Sequence, residues 1–216
     1  MRAQDLSKPH EAASPIHALR ANVSRYLTVA PLLVFAATAL LGLSGCQVST
    51  QSEPSPAQYR HNKTYTFGKY KIEVVSWPQK DSASLEYCQI KITGENNESF
   101  ILRMDMDIAE ASWVTDLDRD GNFEVLILGR SAGSGSFGEI RIFEWDRKEL
   151  VARPLPELTA RQAVGYFGHD KFQVPMNQIV REFPVYKSGD PNSTPTGGTR
   201  RLTYWFADKK WKVTEE

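Results

Sequence analysis

From residue 63 onward the chain alternates short apolar runs, rich in β-branched and aromatic side chains, with polar turn residues. The runs fall at residues 70–77, 85–93, 100–106, 123–128, 139–145, 172–186, 201–206 and 211–214. Many short runs separated by turn signals predict the strands of an antiparallel sandwich or barrel. In Leu102-Arg103-Met104-Asp105-Met106 the even-numbered residues are apolar and the others charged, which puts Leu102, Met104 and Met106 on the buried face of a strand. Asp208-Lys209-Lys210 reads as the turn of a last hairpin. Residues 156–164 have a different rhythm: Leu158, Arg161, Gln162 and Ala163 follow a proline suited to a first helical turn, and predict one short helix. The expected fold is a mostly β domain over residues 63–216, an antiparallel β-sandwich with that one helix.

The preceding segment lacks this texture. Residues 47–62 are polar, with Ser, Gln, Pro and Glu, and have no face to bury, so they read as a flexible tether. Before them, residues 31–43 form an apolar run of 13 residues preceded by Arg20 and Arg25 and ending in Leu43-Ser44-Gly45-Cys46. A positive flank, a short apolar stretch and small residues describe a secretory signal, and the run falls short of the roughly 20 residues that span a bilayer. Leu-Ser-Gly-Cys also resembles the lipobox of bacterial lipoproteins. That resemblance implies a signal peptide over residues 1–45, lipidation of Cys46 as the mature N-terminus, and a tether over residues 46–62. Gln47 in place of an aspartate after the cysteine points to the outer membrane rather than retention at the inner one. The expected location is the periplasm, with the lipid as the membrane contact.

With Cys46 committed to lipid, Cys88 has no cysteine to pair with, and a disulfide framework is excluded. In Glu86-Tyr87-Cys88-Gln89-Ile90 it reads as a small core-facing residue on a strand. Residues 1–45 carry Arg2, Lys8, Arg20 and Arg25 against Asp5 and Glu11, which leaves 22 basic and 24 acidic side chains, a net of −2. No charge-driven affinity for nucleic acid follows.

The stretch that attracts most attention is Ser131-Ala132-Gly133-Ser134-Gly135-Ser136-Phe137-Gly138, set between two strand-like runs. Its small residues contribute nothing to a core, so it reads as a loop presenting backbone and hydroxyl groups outward. It formally contains G-x-G-x-x-G, but that fingerprint needs a helix after it, and Glu139-Ile140-Arg141-Ile142-Phe143 is strand-like. A serine nucleophile needs a base, and the mature chain offers only His61, within the expected tether, and His169 in Tyr166-Phe167-Gly168-His169-Asp170, which reads as a turn residue. No catalytic residue is assigned.

From Asp116 to Glu124, carboxylates recur at every second position with Gly121 sixth, a spacing that lets a short loop wrap a hard cation. The twelfth position, which gives an EF-hand its bidentate glutamate, is Ile127 in an apolar run. A single such loop also resembles the calcium loops of adhesion β-propellers, which need several copies. An Asp/Gly turn opening the strand at residues 123–128, with its carboxylates bonding local backbone amides, is the preferred explanation. No metal or cofactor ligand is assigned, and a calcium-binding envelope module stands as the alternative function. The polar loop over residues 189–198, with Pro191 and Pro195, is expected to form a second presented edge.

Taken in order, Asp116 to Glu124, Arg130 to Gly138, Gly165 to Asp170, Pro184-Val185-Tyr186, Gly189-Asp190 and Pro195 to Arg200 resemble the bacterial inhibitors of invertebrate-type lysozyme, which are periplasmic or membrane-anchored. The likeness covers roughly residue 100 to the end. It implies a β-sandwich whose Ser-Gly-x-Tyr loop enters the lysozyme's substrate cleft and occludes its catalytic carboxylates. Here Ser134 and Gly135 match the first two places, Ser136 the variable one, and Phe137 replaces the family's tyrosine. The missing phenolic hydroxyl removes one hydrogen bond, worth about 0.5–1.5 kcal/mol. The expected partner is therefore an invertebrate-type lysozyme, and the expected inhibitory residues are Ser134, Gly135, Ser136 and Phe137.

Overall fold

A computed structural model describes residues 54–216. Cys46 and the signal segment lie outside the described residues. The chain forms two antiparallel sheets, each a meander in sequence order. The first contains β1 (His61–Phe67), β2 (Tyr70–Pro78), β3 (Leu85–Thr93), β4 (Ser99–Thr115), β5 (Glu124–Arg130), β6 (Gly138–Trp145) and β7 (Leu150–Ala152). The second contains β8 (Lys171–Gln173), β9 (Ile179–Pro184), β10 (Thr199–Ala207) and β11 (Lys210–Glu215), in the order β11-β10-β9-β8. The mostly β, two-sheet architecture expected from the run pattern is present.

Two hydrophobic cores divide the molecule. The seven-stranded sheet curls until β1 meets β4, where Nε2 of His61 lies 2.7 Å from the Ser112 hydroxyl and the Tyr65 hydroxyl donates to the Ser112 carbonyl at 2.6 Å. Ile72, Val74, Cys88, Ile90, Ile92 and Met106 fill the inside of this curl. Cys88 is completely buried, and burial pushes its thiol up to about 12, so it is a packing residue as expected. The second core joins β5 and β6 to the four-stranded sheet through Leu126, Leu128, Ile142, Phe172, Phe183, Leu202 and Tyr204.

β5 belongs to both cores. Val125 and Ile127 point into the curl, Leu126 and Leu128 into the sandwich, and all four are at most 3 % exposed. This explains why Val125-Leu126-Ile127-Leu128 is a continuous apolar run rather than an alternating one: a strand covered on both faces has no solvent side.

The 17-residue β4 makes the curl possible. Its first half pairs with β3 and its second half with β5, with a bulge between Ala109 and Ala111 that leaves Glu110 out of the ladder. Bulges of this kind bend the strand and increase its twist. Opposite the bend, the buried Glu86 carboxylate accepts from the Ser76 hydroxyl at 2.7 Å and from the Ala109 amide at 3.0 Å.

Three local readings change. Residues 156–164 form no helix: Thr159 and Gln162 cap one another and the Ala163 amide reaches the Thr159 carbonyl, but only a single turn follows. Gly165, at φ +73°, ends it, and one turn alone does not repay the cost of helix nucleation. Residues 172–186 are two strands, because Pro175 opens a turn in which Met176 and Asn177 take positive φ. His61, expected in the tether, is the 6 %-exposed first residue of β1. Among the described residues no helix is long and apolar enough to cross a membrane.

Burial holds His61 below the usual imidazole range, with Lys63 adding to the effect and Glu86 opposing it. The neutral ring is the folded form, so its contribution is complete above pH 6.5 and is lost as pH falls from 6.5 through the lowered folded value. Thermal unfolding followed from pH 7.5 to 5 should show this loss, and His61→Gln should flatten that part of the profile.

Candidate functional site

The serine-glycine stretch forms the loop between β5 and β6, so it is rooted in the strand that both cores hold. Its base is closed twice, by the Ser131 amide on the Phe137 carbonyl and by the Phe137 amide on the Ser131 hydroxyl, each at 2.9 Å. At the tip the Ser136 amide bonds the Gly133 carbonyl at 2.9 Å, closing a β-turn with Ser134 and Gly135 at its centre. Ser134 is exposed. The Phe137 ring folds back over Gly135, where an added Cβ would lie 2.4 Å from it, yet the residue remains 45 % exposed.

Two further segments, distant in sequence, lock this loop. The amide of His169 donates to the Gly135 carbonyl at 2.7 Å. The approach is close enough that a Cβ on Gly168, at φ +90°, would sit 2.1 Å from that oxygen, so glycine is required there twice over. From the 187–198 loop, the Asn192 side chain donates to the Ser134 carbonyl at 2.8 Å, and its Oδ1 meets Nε2 of His169 at 3.3 Å. Asn192 is itself held by Tyr186, whose hydroxyl donates to its carbonyl at 2.9 Å. Asp190 shapes the same loop by accepting from the amides of Lys187 and Thr196, and these bonds hold its carboxyl below the usual range. The second presented edge expected over residues 189–198 thus adjoins the first.

A buried ionic network lies beneath the three segments. Asp170, 1 % exposed, accepts from the Gly138 amide at 2.9 Å, the Tyr166 hydroxyl at 2.7 Å and Nε of Arg181 at 2.7 Å. Nη2 of Arg181 donates to the Tyr166 hydroxyl at 2.8 Å, and its guanidinium lies against the rings of Tyr166, Phe172 and Phe183. Burial first, then the Asp170 charge, pushes the Tyr166 phenol well above its usual range, so it stays a donor to Asp170. Arg130, the last residue of β5, donates to the carbonyls of Ser136 and Asp170, both at 2.9 Å. Its Nε meets the carboxylate of Glu110, the residue that the β4 bulge releases.

Reasoning from sequence identified the loop but not the residues that hold it. Arg181, a charge placed directly after Ile179-Val180 and two residues before Phe183, was the available signal. Ser112 and His61 have nucleophile-base spacing but are buried, at 8 % and 6 % exposure.

The aspartate loop lies apart from this edge. Ligand oxygens of Asp116, Asp118 and Asp120 come within 4.8 Å of one another. Local amides also use them: Asp116 accepts from Asp120 and Gly121, and Asp120 from Asn122. Glu124 is buried and accepts from the Leu117 amide at 2.7 Å. Burial, outweighing that bond, together with the charges of Asp118, Glu144 and Asp116, pushes its carboxyl up to about 8.

Compared with known proteins, the chain matches no family model, and no curated protein or solved structure is significantly similar to it.

Removing one member of a buried ion pair typically costs about 3–5 kcal/mol. Asp170→Ala should therefore lower unfolding stability by about that amount in urea titrations, because it strands Arg181 and releases the Gly138 amide at the second root of the loop.

Proposed function

We propose that this protein inhibits an invertebrate-type lysozyme by inserting residues 134–137 into the enzyme's substrate cleft, and that it does so in the periplasm, held at the outer membrane by lipid on Cys46. One observation carries the reading: two stretches that resemble the inhibitor family, around Ser134 and His169, are far apart in sequence and meet on one edge with the first as its tip, and Asn192, from the loop between the resembling Gly189-Asp190 and Pro195–Arg200, bonds that tip.

The chemistry of the edge fits that role. Glycoside hydrolysis uses a pair of carboxyl groups in an open cleft, and a competitor must reach them without being cleaved. The exposed Ser134 hydroxyl is a donor for a carboxylate, and a charge-assisted bond of this type holds the acid away from substrate. Phe137 supplies an apolar ring for the neighbouring subsite. The loop is ordered before binding, through Arg130, Asp170 and Asn192, so little conformational entropy remains to be lost on association.

In this reading Ser134 acts in the complex alone, and Phe137 acts there through the half of its ring that its contact with Tyr166 leaves exposed. Ser134→Ala combined with Phe137→Ala should raise the inhibition constant at least tenfold while leaving the melting temperature near that of the parent. Undiminished inhibition by the double variant would exclude the loop as the inhibitory element.

A calcium-binding envelope module is the second reading, favoured by the convergence of Asp116, Asp118 and Asp120. Because the folded value lies above 4.5, Glu124 contributes stability below pH 4.5 that is lost as pH rises to about 8. A bound cation would oppose that loss. If this loop takes calcium, millimolar Ca²⁺ raises the melting temperature at pH 8 and EDTA reverses it; a melting temperature unmoved by either leaves the loop as a turn.

A further inference from the structure

The 166–170 segment contains a residue whose position the fold does not explain. Phe167 is 58 % exposed, while its neighbours do the structural work: Tyr166 closes the Asp170 network and Gly168 makes the approach to Gly135. Gly165 and Gly168, both at positive φ, bracket the pair and turn Tyr166 inward and Phe167 outward.

Phe167 is nevertheless braced. Its ring meets Tyr186 edge-on at 5.5 Å and 79°, and Tyr186 is 8 % exposed with its hydroxyl fixed to Asn192. Phe137 has the same arrangement against Tyr166, at 5.6 Å and 75°. Each exposed phenylalanine thus stands on a largely covered tyrosine. The two tyrosine supports are tied together through the Gly135–His169 and Asn192–Ser134 bonds. A groove of about 410 Å³, lined by His169, Tyr186, Asn192 and Pro195, shares with Phe167 the Tyr186 ring that braces it. Exposed aromatic rings with little rotamer freedom are the residue type that dominates protein interfaces.

We infer that Phe167 is a second anchor for the same partner, so that the protein grips with two rings, Phe137 and Phe167, carried on separate segments. This rests on the proposed inhibition of lysozyme and adds to it a statement about the partner. The receiving surface is an elongated cleft with two adjacent sites that accept flat apolar faces, as an enzyme acting on a polymeric glycan has, and not a single deep pocket. The Ser134 hydroxyl reaches the reacting carboxylates, and Phe167 engages the cleft further along.

Binding of the purified protein to an invertebrate-type lysozyme, measured by calorimetry and by inhibition of cell-wall lysis, tests this with Phe167→Ala, Phe137→Ala and the double variant. Phe167→Ala is expected to weaken binding about tenfold with an unchanged melting temperature, and a chitooligosaccharide long enough to fill the cleft should compete with the parent protein. Should the alanine variant melt early, Phe167→Leu, which keeps an apolar contact with Tyr186 but removes the flat ring, is expected to show the same weakening. A parent that inhibits while Phe167→Ala and Phe167→Leu bind equally well overturns the second anchor and leaves the loop reading intact. A parent that inhibits no invertebrate-type lysozyme overturns the loop reading, and the second anchor with it.

Discussion

The structure depends on one strand having no solvent face. β5 is the wall between the curl of the first sheet and its packing on the second, with Val125 and Ile127 on one side and Leu126 and Leu128 on the other. Burying an aliphatic side chain contributes about 1.5–3 kcal/mol, so four such residues on seven positions fix this strand more firmly than an edge strand can be fixed. Whatever leaves the end of β5 inherits its position. The loop at residues 131–137 starts from Arg130, the last residue of that strand.

A fixed root is necessary but leaves a small-residue loop free to sample many conformations. The remaining freedom is removed from outside the loop. Arg130 takes the carbonyls of Ser136 and Asp170, Asn192 takes that of Ser134, and His169 that of Gly135. Nearly all of these contacts address the backbone, which leaves the side chains of Ser134 and Phe137 available. The arrangement separates two demands that usually conflict, since the groups that order the loop are not the groups it presents.

The β architecture was legible because the pattern of apolar runs depends on burial alone. Leu102, Met104 and Met106 declared their face by alternation, whereas the two covered faces of residues 125–128 emerged only in the structure. β1 was missed because His61, Lys63 and Thr64 read as polar chain; the strand earns its place through the bonds of His61 and Tyr65 to Ser112, which are tertiary. The helix expected over residues 156–164 failed for a related reason: its capping residues were present, but Gly165 was needed at positive φ to deliver Tyr166 to Asp170. At the site, the loop itself was visible as a composition anomaly. The Asp170–Arg181–Tyr166 network was not, since a sequence shows that a charge sits among apolar residues without showing which partner neutralises it.

The two meanders bear on how the molecule forms. Within each sheet every strand pairs with its sequence neighbour, so neither sheet needs the other to set the register of its strands. The edge that carries Ser134 is different, because it joins residue 135 to residue 169 and residue 134 to residue 192, and it requires the second sheet to have docked on the first. It is therefore the last part to be completed on folding and among the first lost on unfolding. A chain with both sheets formed but not yet docked would have nearly full secondary structure and no ordered loop, so the competence of this edge reports on the whole molecule rather than on the hairpin that bears it.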